Sequence, residues 1–369
     1  MSARIPEHLS GLMPYVPGQS EESAGAGERF EAPVKLASNE NPLGPSPRAL
    51  EAARAELERS HRYPEGTGKQ LREALGRRLG VPEKQIILGN GSTELVELLV
   101  RTFQGPEAYS VVPEGTFIMY RIAILAARGR LREVPLRDWR IDPAAVAAAC
   151  DADTPLVFLA NPNNPTGTYF TTSELEAYFR RVPRGVITVL DEAYREYLQQ
   201  RDYPSGLDAL RQGRTVVVLR TFSKAHGLAG LRVGYGVGPP DLIEAMEKVR
   251  SPFNTNRVAQ AAALAALEDS EHLAATQETN RIGLEFLAAE LARRGLEFTP
   301  SVANFYLVHF ERDAEEVFRE LLAEGVITRP MGPYGFARSL RISVGTPSQN
   351  QRLLGALDRV LGGPPRRSA

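Results

Sequence analysis

Cysteine is nearly absent from this chain of 369 residues: Cys150 stands alone, which excludes an internal disulfide and fits a reducing compartment. Long apolar runs are absent too. Short runs such as Leu156–Ala160, Val186–Leu190 and Val216–Leu219 suit buried strands and are far too short to span a bilayer. A formal net charge of -1 gives no reason to expect a nucleic acid or an anionic membrane as partner. Pro6, Glu7 and His8 interrupt any signal-like apolar region, so a cytoplasmic protein is expected. The chain has no Walker lysine and no GxGxxG fingerprint, which disfavours nicotinamide cofactors, and no metal centre is called for. Lysine is scarce as well. Only positions 35, 69, 84, 224 and 248 carry it, against 39 arginines.

What is present is an ordinary globular composition, 43% hydrophobic and 24% charged, on a chain long enough for two domains. Residues 1–33, with four prolines and four glycines, read as an extended arm. Strands near 85–88, 110–112, 154–160, 186–190 and 215–219 then alternate with helices near 92–103, 116–127 and from Thr172. That alternation predicts an α/β domain over 34–250, with a mostly parallel sheet covered by helices on both faces. After Arg250 the pattern changes. Asn256 reads as an N-cap, a long helical region runs to about Arg294, and short strands near 297–299, 304–310 and 339–344 flank a helix around 314–323. Residues 251–369 are expected to form a smaller α+β domain whose last residues, from Gly362, fray.

The most informative segment runs from Arg220 to Tyr235. A buried strand delivers Thr221, Ser223 and Lys224 to its end, and Arg232 follows eight residues after the lysine. Hydroxyls and a guanidinium suit a phosphate. Where arginine is so strongly preferred, a lysine between them suits what arginine cannot do: lose its proton and attack a carbonyl. The bland alternative is a surface lysine near a helix start.

Three more segments follow strands. Leu88–Leu95 is a glycine-rich turn leading into a helix at Ser92 or Thr93, a ready cradle for phosphate. Asn161–Gly167 is by itself turn chemistry. Asp191 and Tyr194 follow Val189-Leu190 where open α/β sheets bind ligands, although an aspartate there could equally cap a helix. Phe117 is either a ring platform or core. Together the segments describe a phosphate, a carbonyl carbon, a basic ring nitrogen and a phenolic oxygen, which is pyridoxal 5′-phosphate.

On these motifs the chain resembles the pyridoxal-phosphate aminotransferases of the aspartate-aminotransferase fold, and within them the histidinol-phosphate branch most closely. Leu12–Gly18, Leu36–Gly44, Arg62–Gly66, Ala303–Phe305, Arg329–Met331 and Leu340–Thr346 extend the likeness over nearly the whole length. The resemblance implies a seven-stranded sheet in the large domain, with Lys224 holding the cofactor covalently and Asp191 facing its ring nitrogen. Tyr194 and Asn164 would meet the ring oxygen. Ser92, Thr93, Thr221, Ser223 and Arg232 would hold its phosphate, and Phe117 would stack on the ring. Tyr63 would reach the cofactor of the neighbouring subunit in a homodimer. Tyr15, Asn39, Arg329 and Arg341 would meet the substrate, L-histidinol phosphate in one half-reaction and 2-oxoglutarate or glutamate in the other. His226 stands where such chains usually carry an aromatic and is expected to pack. An aromatic or broad-range aminotransferase, a threonine-phosphate decarboxylase and a non-catalytic binding module remain alternatives.

Overall fold

A computed structural model describes residues 5–21 and 33–362. The remainder of the N-terminal arm and the tail expected to fray beyond Gly362 lie outside the described residues.

The central sheet has seven strands in the order Ile86–Gly89, Gly234–Val237, Val216–Thr221, Ile187–Asp191, Leu156–Ala160, Tyr109–Pro113, Arg130–Val134. All run parallel except Gly234–Val237, which is antiparallel to both neighbours. Val216, Val217, Val218 and Leu219 are fully buried, so both sheet faces are covered and the strands read as unbroken apolar runs. Alternate side chains feed two separate apolar clusters, one on each face. Each fully buried Val or Leu contributes roughly 1.5–3 kcal/mol.

Two of these strands escape sequence reading for physical reasons. Arg130–Val134 is a partly exposed edge strand of mixed polarity. Gly234–Val237 contains two glycines, which weaken strand propensity. A Cβ on Gly234 would lie 2.7 Å from the Ser92 amide nitrogen and 2.9 Å from the Arg220 carbonyl oxygen, so only glycine lets this strand pass beneath the phosphate-cradle turn.

A second, four-stranded antiparallel sheet has the order Arg329–Met331, Phe336–Ser343, Phe305–His309, Glu297–Thr299 and its own apolar cluster. Pro330 argues against a strand, yet Arg329–Met331 is the sheet's edge, where a missing N–H is tolerated. Asn256 does cap a helix: its side chain accepts from the Ala259 amide at 2.8 Å. The helical region beyond it is two helices, Arg257–Glu268 and Ser270–Arg293, separated by Asp269, which caps the second.

Packing crosses both expected limits of the large domain. Arg257–Glu268 buries Ala259, Ala262, Ala263 and Ala266 in the large sheet's core, so that core extends past residue 250. At the other limit, strand Val34–Lys35 pairs with Val326–Ile327, and Val34, Leu36 and Ala37 join the second core. Residues 34–37 thus tie the N-terminal side of the chain to the C-terminal unit, and the segment after them runs directly into the cleft.

Candidate active site

The parallel strands all end on one side of the sheet, and their carboxyl ends carry Asp191, Thr221 and, just beyond Pro113 and Ala160, Phe117 and Asn164. Together with the second sheet they enclose a cleft of about 280 Å³. Its lining includes fourteen of the fifteen residues expected from sequence: Tyr15, Asn39, Ser92, Thr93, Phe117, Asn164, Asp191, Tyr194, Thr221, Ser223, Lys224, Arg232, Arg329 and Arg341. Tyr63 is the exception. It is 77% exposed and stacks on Phe253 at 4.6 Å, outside this cleft. His226 is buried against Phe222 and does not line the cleft. Burial pulls its imidazole down to about 4, so it is neutral at ordinary pH.

Lys224 sits at the centre, its Nζ donating to the Ser38 carbonyl at 2.9 Å. Burial, with Arg341 adding to it, pulls the amine from 10.5 down to about 7. An amine in that range supplies a free lone pair near neutral pH. Asp191 is buried, with Oδ2 accepting from Tyr120 Oη at 2.6 Å and Oδ1 from the Ala193 amide at 3.1 Å. Burial raises its carboxyl to about 6, against the lowering effect of those two donors. No cation pairs with Asp191 among the described residues, so a protonated ring nitrogen would supply the missing charge partner.

The phosphate end is built on the helix Gly91–Phe103, whose N-cap residue Asn90 provides no side-chain cap, leaving amides free for an anion. Gly91 (φ +76) makes room for a guanidinium, because a Cβ there would fall 2.4 Å from Arg232 Nη2. Arg232 donates to Ser223 Oγ at 3.3 Å, and Thr221 Oγ1 donates to the same oxygen at 3.0 Å.

At the second sheet, Arg329 and Arg341 stand directly opposite each other in the antiparallel register. Both are buried, like-charged neighbours that cost stability unless an anion joins them. Arg341 donates to Asn164 Oδ1 at 2.6 Å and to the Ala37 carbonyl at 2.7 Å, and its Nε is buried without a partner. Arg329 lies over the Tyr15 ring at 5.8 Å. Arg232, Arg329 and Arg341 have no carboxylate partner among the described residues. Glu40, also at the cleft, is paired with Lys35 at 2.8 Å. Three guanidiniums free of carboxylates make a cleft for anions.

Tyr194 Oη accepts from Asn39 Nδ2 at 2.9 Å, and Asn39 is held by Ser343 on both its amide and its side chain. Burial pushes the Tyr194 phenol up to about 12, so it stays a hydrogen-bond donor. Ser38, Glu40, Tyr120 and Tyr334 also line the cleft and were missed. Tyr120 lies three residues after Phe117, in the first turn of the helix Met119–Ala126, where it reads as core. Ser38 acts through its backbone carbonyl, which side-chain chemistry does not reveal.

Residues 31–357 match the family model for aminotransferase class I and II. The chain belongs to that family. It is 44% identical over 96% of its length to a histidinol-phosphate aminotransferase of Moorella thermoacetica, covering 92% of that protein. With the histidinol-phosphate aminotransferase of an Anaeromyxobacter species it shares 46% identity, over 97% of this chain and 99% of the other. Among solved structures, the Sinorhizobium meliloti histidinol-phosphate aminotransferase in complex with pyridoxal-5′-phosphate superposes with a TM-score of 0.90 at 30% identity, over 98% of both chains. The aspartate aminotransferase of Thermus thermophilus, at 24% identity and a TM-score of 0.83 over 97% of this chain and all of the other, shares the fold. The large mixed sheet with its helical layers is that of the pyridoxal-phosphate-dependent aminotransferases.

Proposed function

We propose that this aminotransferase moves the amino group of L-histidinol phosphate to 2-oxoglutarate, giving imidazole-acetol phosphate and L-glutamate, with pyridoxal 5′-phosphate as cofactor. The observation that carries the substrate choice is the buried Arg329–Arg341 pair without a carboxylate. Two guanidiniums suit a dianionic phosphate better than one carboxylate.

Bound pyridoxal phosphate supplies an aldehyde carbon for covalent attachment to amines and a ring that accepts electron density from the substrate's Cα. Lys224 Nζ, neutral in a useful fraction near pH 7, anchors the cofactor and, once freed, removes the proton from Cα. Asp191, as a carboxylate, would keep the cofactor's ring nitrogen protonated. Tyr194 and Asn164 would offer polar atoms to the ring oxygen, and Phe117 would pack on the ring. Ser92, Thr93, Thr221, Ser223 and Arg232 grip the cofactor's phosphate. Arg329, Arg341, Tyr15 and Asn39 orient the substrate. The amino group would stay with the cofactor after the first product leaves and before the second substrate binds, so ping-pong kinetics are expected.

In this reading the working unit is a cytoplasmic homodimer, and Tyr63 of each subunit completes the other's cleft. Its exposed stack with Phe253 supports that role. The chain divides into a large cofactor domain that includes Arg257–Glu268 and a small domain that includes residues 34–37. Parallel assays with histidinol phosphate and phenylalanine, each with 2-oxoglutarate, test the proposal. Higher kcat/KM for histidinol phosphate is expected, and a preference for phenylalanine would assign the cleft to aromatic amino acids instead.

A further inference from the structure

Tyr120 lies at the floor of the cleft with no solvent exposure. Its ring is stacked on Phe158 at 4.7 Å and meets the edge of Phe117 at 5.5 Å. Both rings fix its position, and its hydroxyl makes one side-chain hydrogen bond, to Asp191 Oδ2 at 2.6 Å. The second Asp191 oxygen is taken by the Ala193 amide. Both carboxylate oxygens are therefore bonded, but neither to a cation. The titratable groups that face Asp191 are Tyr120, the adjacent Glu192 and Lys224, with Tyr194 and Tyr334 close to the Tyr120 hydroxyl. Glu192 is already neutralised by Arg220, with which it forms two hydrogen bonds at 2.8 and 2.9 Å.

We infer that Tyr120 is a positioning residue for the reaction: its hydroxyl keeps the Asp191 carboxylate ionised and aimed, so that the shared proton stays on the cofactor's ring nitrogen instead of passing to the carboxylate. This deepens the proposed function and rests on it. A short bond from a phenol removes electron density from a carboxylate and lowers its proton affinity. Without that donor, a buried carboxylate gains proton affinity, and the ion pair across the cleft floor collapses toward two neutral partners. Burial keeps the phenol itself protonated, since its own ionisation is pushed well above 10. Tyr120 is thus a fixed donor at every working pH. The same ring braces Phe117, which links the ring-stacking residue to the ring-nitrogen partner.

The test uses the enzyme loaded with cofactor labelled with ¹⁵N at the ring nitrogen, whose chemical shift reports whether that atom carries a proton. Four forms are compared: wild type, Tyr120→Phe, a protein with 3-fluorotyrosine at position 120, and Asp191→Asn as the unprotonated limit. The fluorinated phenol is a stronger donor of nearly the same shape. Tyr120→Phe should move the resonance toward the Asp191→Asn value, and the fluorotyrosine form should move it the opposite way or hold it at the protonated limit. kcat for Tyr120→Phe should fall by about 10-fold, the scale of one charge-assisted hydrogen bond, with KM for histidinol phosphate changed much less. A resonance in Tyr120→Phe identical to wild type, with cofactor bound, would overturn the inference while leaving the proposed function intact. Should Tyr120→Phe fail to fold, a fluorotyrosine protein that moves toward the unprotonated limit would overturn it equally. Failure of the wild type to attach the cofactor at Lys224 would instead strike the underlying reading.

Discussion

Asp191 is a buried carboxylate with no cationic partner among the described residues, a cost to the cofactor-free protein that an isosteric amide should expose. Burial raises its carboxyl from 3.8 to about 6, and a difference of that size corresponds to about 3 kcal/mol. The folded-state value lies above the unfolded one. The stability contributed by the protonated group is therefore fully present below pH 4 and lost as pH rises through about 6. The substituted amide does not titrate. In cofactor-free protein, Asp191→Asn should be more stable than wild type by about 1–3 kcal/mol at pH 8, with the lower end allowing for weakened bonds to Tyr120 and Ala193. The advantage should shrink as pH falls to 5. Urea unfolding at the two pH values, followed by far-UV circular dichroism, measures this difference. Adding cofactor should reverse the order, because only the carboxylate gains a charge partner, and activity should fall by at least 100-fold. A variant-minus-wild-type difference that stays flat between pH 5 and 8 would mean that burial does not raise the Asp191 carboxyl.

Lys224→Ala should abolish multiple turnover, and borohydride reduction of the loaded wild type should fix the cofactor on the Lys224 peptide. Labelling at Lys35, Lys69, Lys84 or Lys248 would contradict the assignment. Because the free amine sits at about 7, the rate of cofactor capture by cofactor-free protein should rise between pH 6 and 8, measured by visible absorbance. A rise only near pH 10 would mean that the amine is not desolvated. Arg329→Ala should cost about 10- to 100-fold in kcat/KM for histidinol phosphate, one charge-assisted contact, and much less for glutamate. An unchanged ratio of the two efficiencies would remove Arg329 from phosphate recognition. Mixing Lys224→Ala with Tyr63→Phe should restore part of the activity through heterodimers with one intact cleft, and a fully active native monomer in sedimentation would exclude shared sites.

Much of the cleft was legible because its chemistry sits in short segments that follow strands. Thr221, Ser223 and Lys224 come off one strand end, Asp191 and Tyr194 off the next, and each segment carries its own turn or helix signal. Features that depend on distant approach were not legible. The pairing of Val34–Lys35 with Val326–Ile327 joins residues almost three hundred positions apart through two-residue strands that leave no periodic pattern. Gly234–Val237 was hidden because its glycines answer to the neighbouring Ser92 amide and Arg220 carbonyl and not to strand propensity. The cross-strand placement of Arg329 and Arg341 follows from a register that no local pattern sets. The Tyr120–Asp191 bond joins two elements 71 residues apart, and only the fold reveals that a residue reading as helix core is a donor to the site.

Single-turnover chemistry tests whether histidinol phosphate is the amino donor. Cofactor-loaded enzyme is mixed with histidinol phosphate in the absence of any keto acid, and products are quantified per site with the visible spectrum. One imidazole-acetol phosphate per site should form with loss of the visible band, followed on addition of 2-oxoglutarate by one glutamate and full return of the band. A spectrum unmoved by histidinol phosphate but bleached by phenylalanine would contradict that assignment.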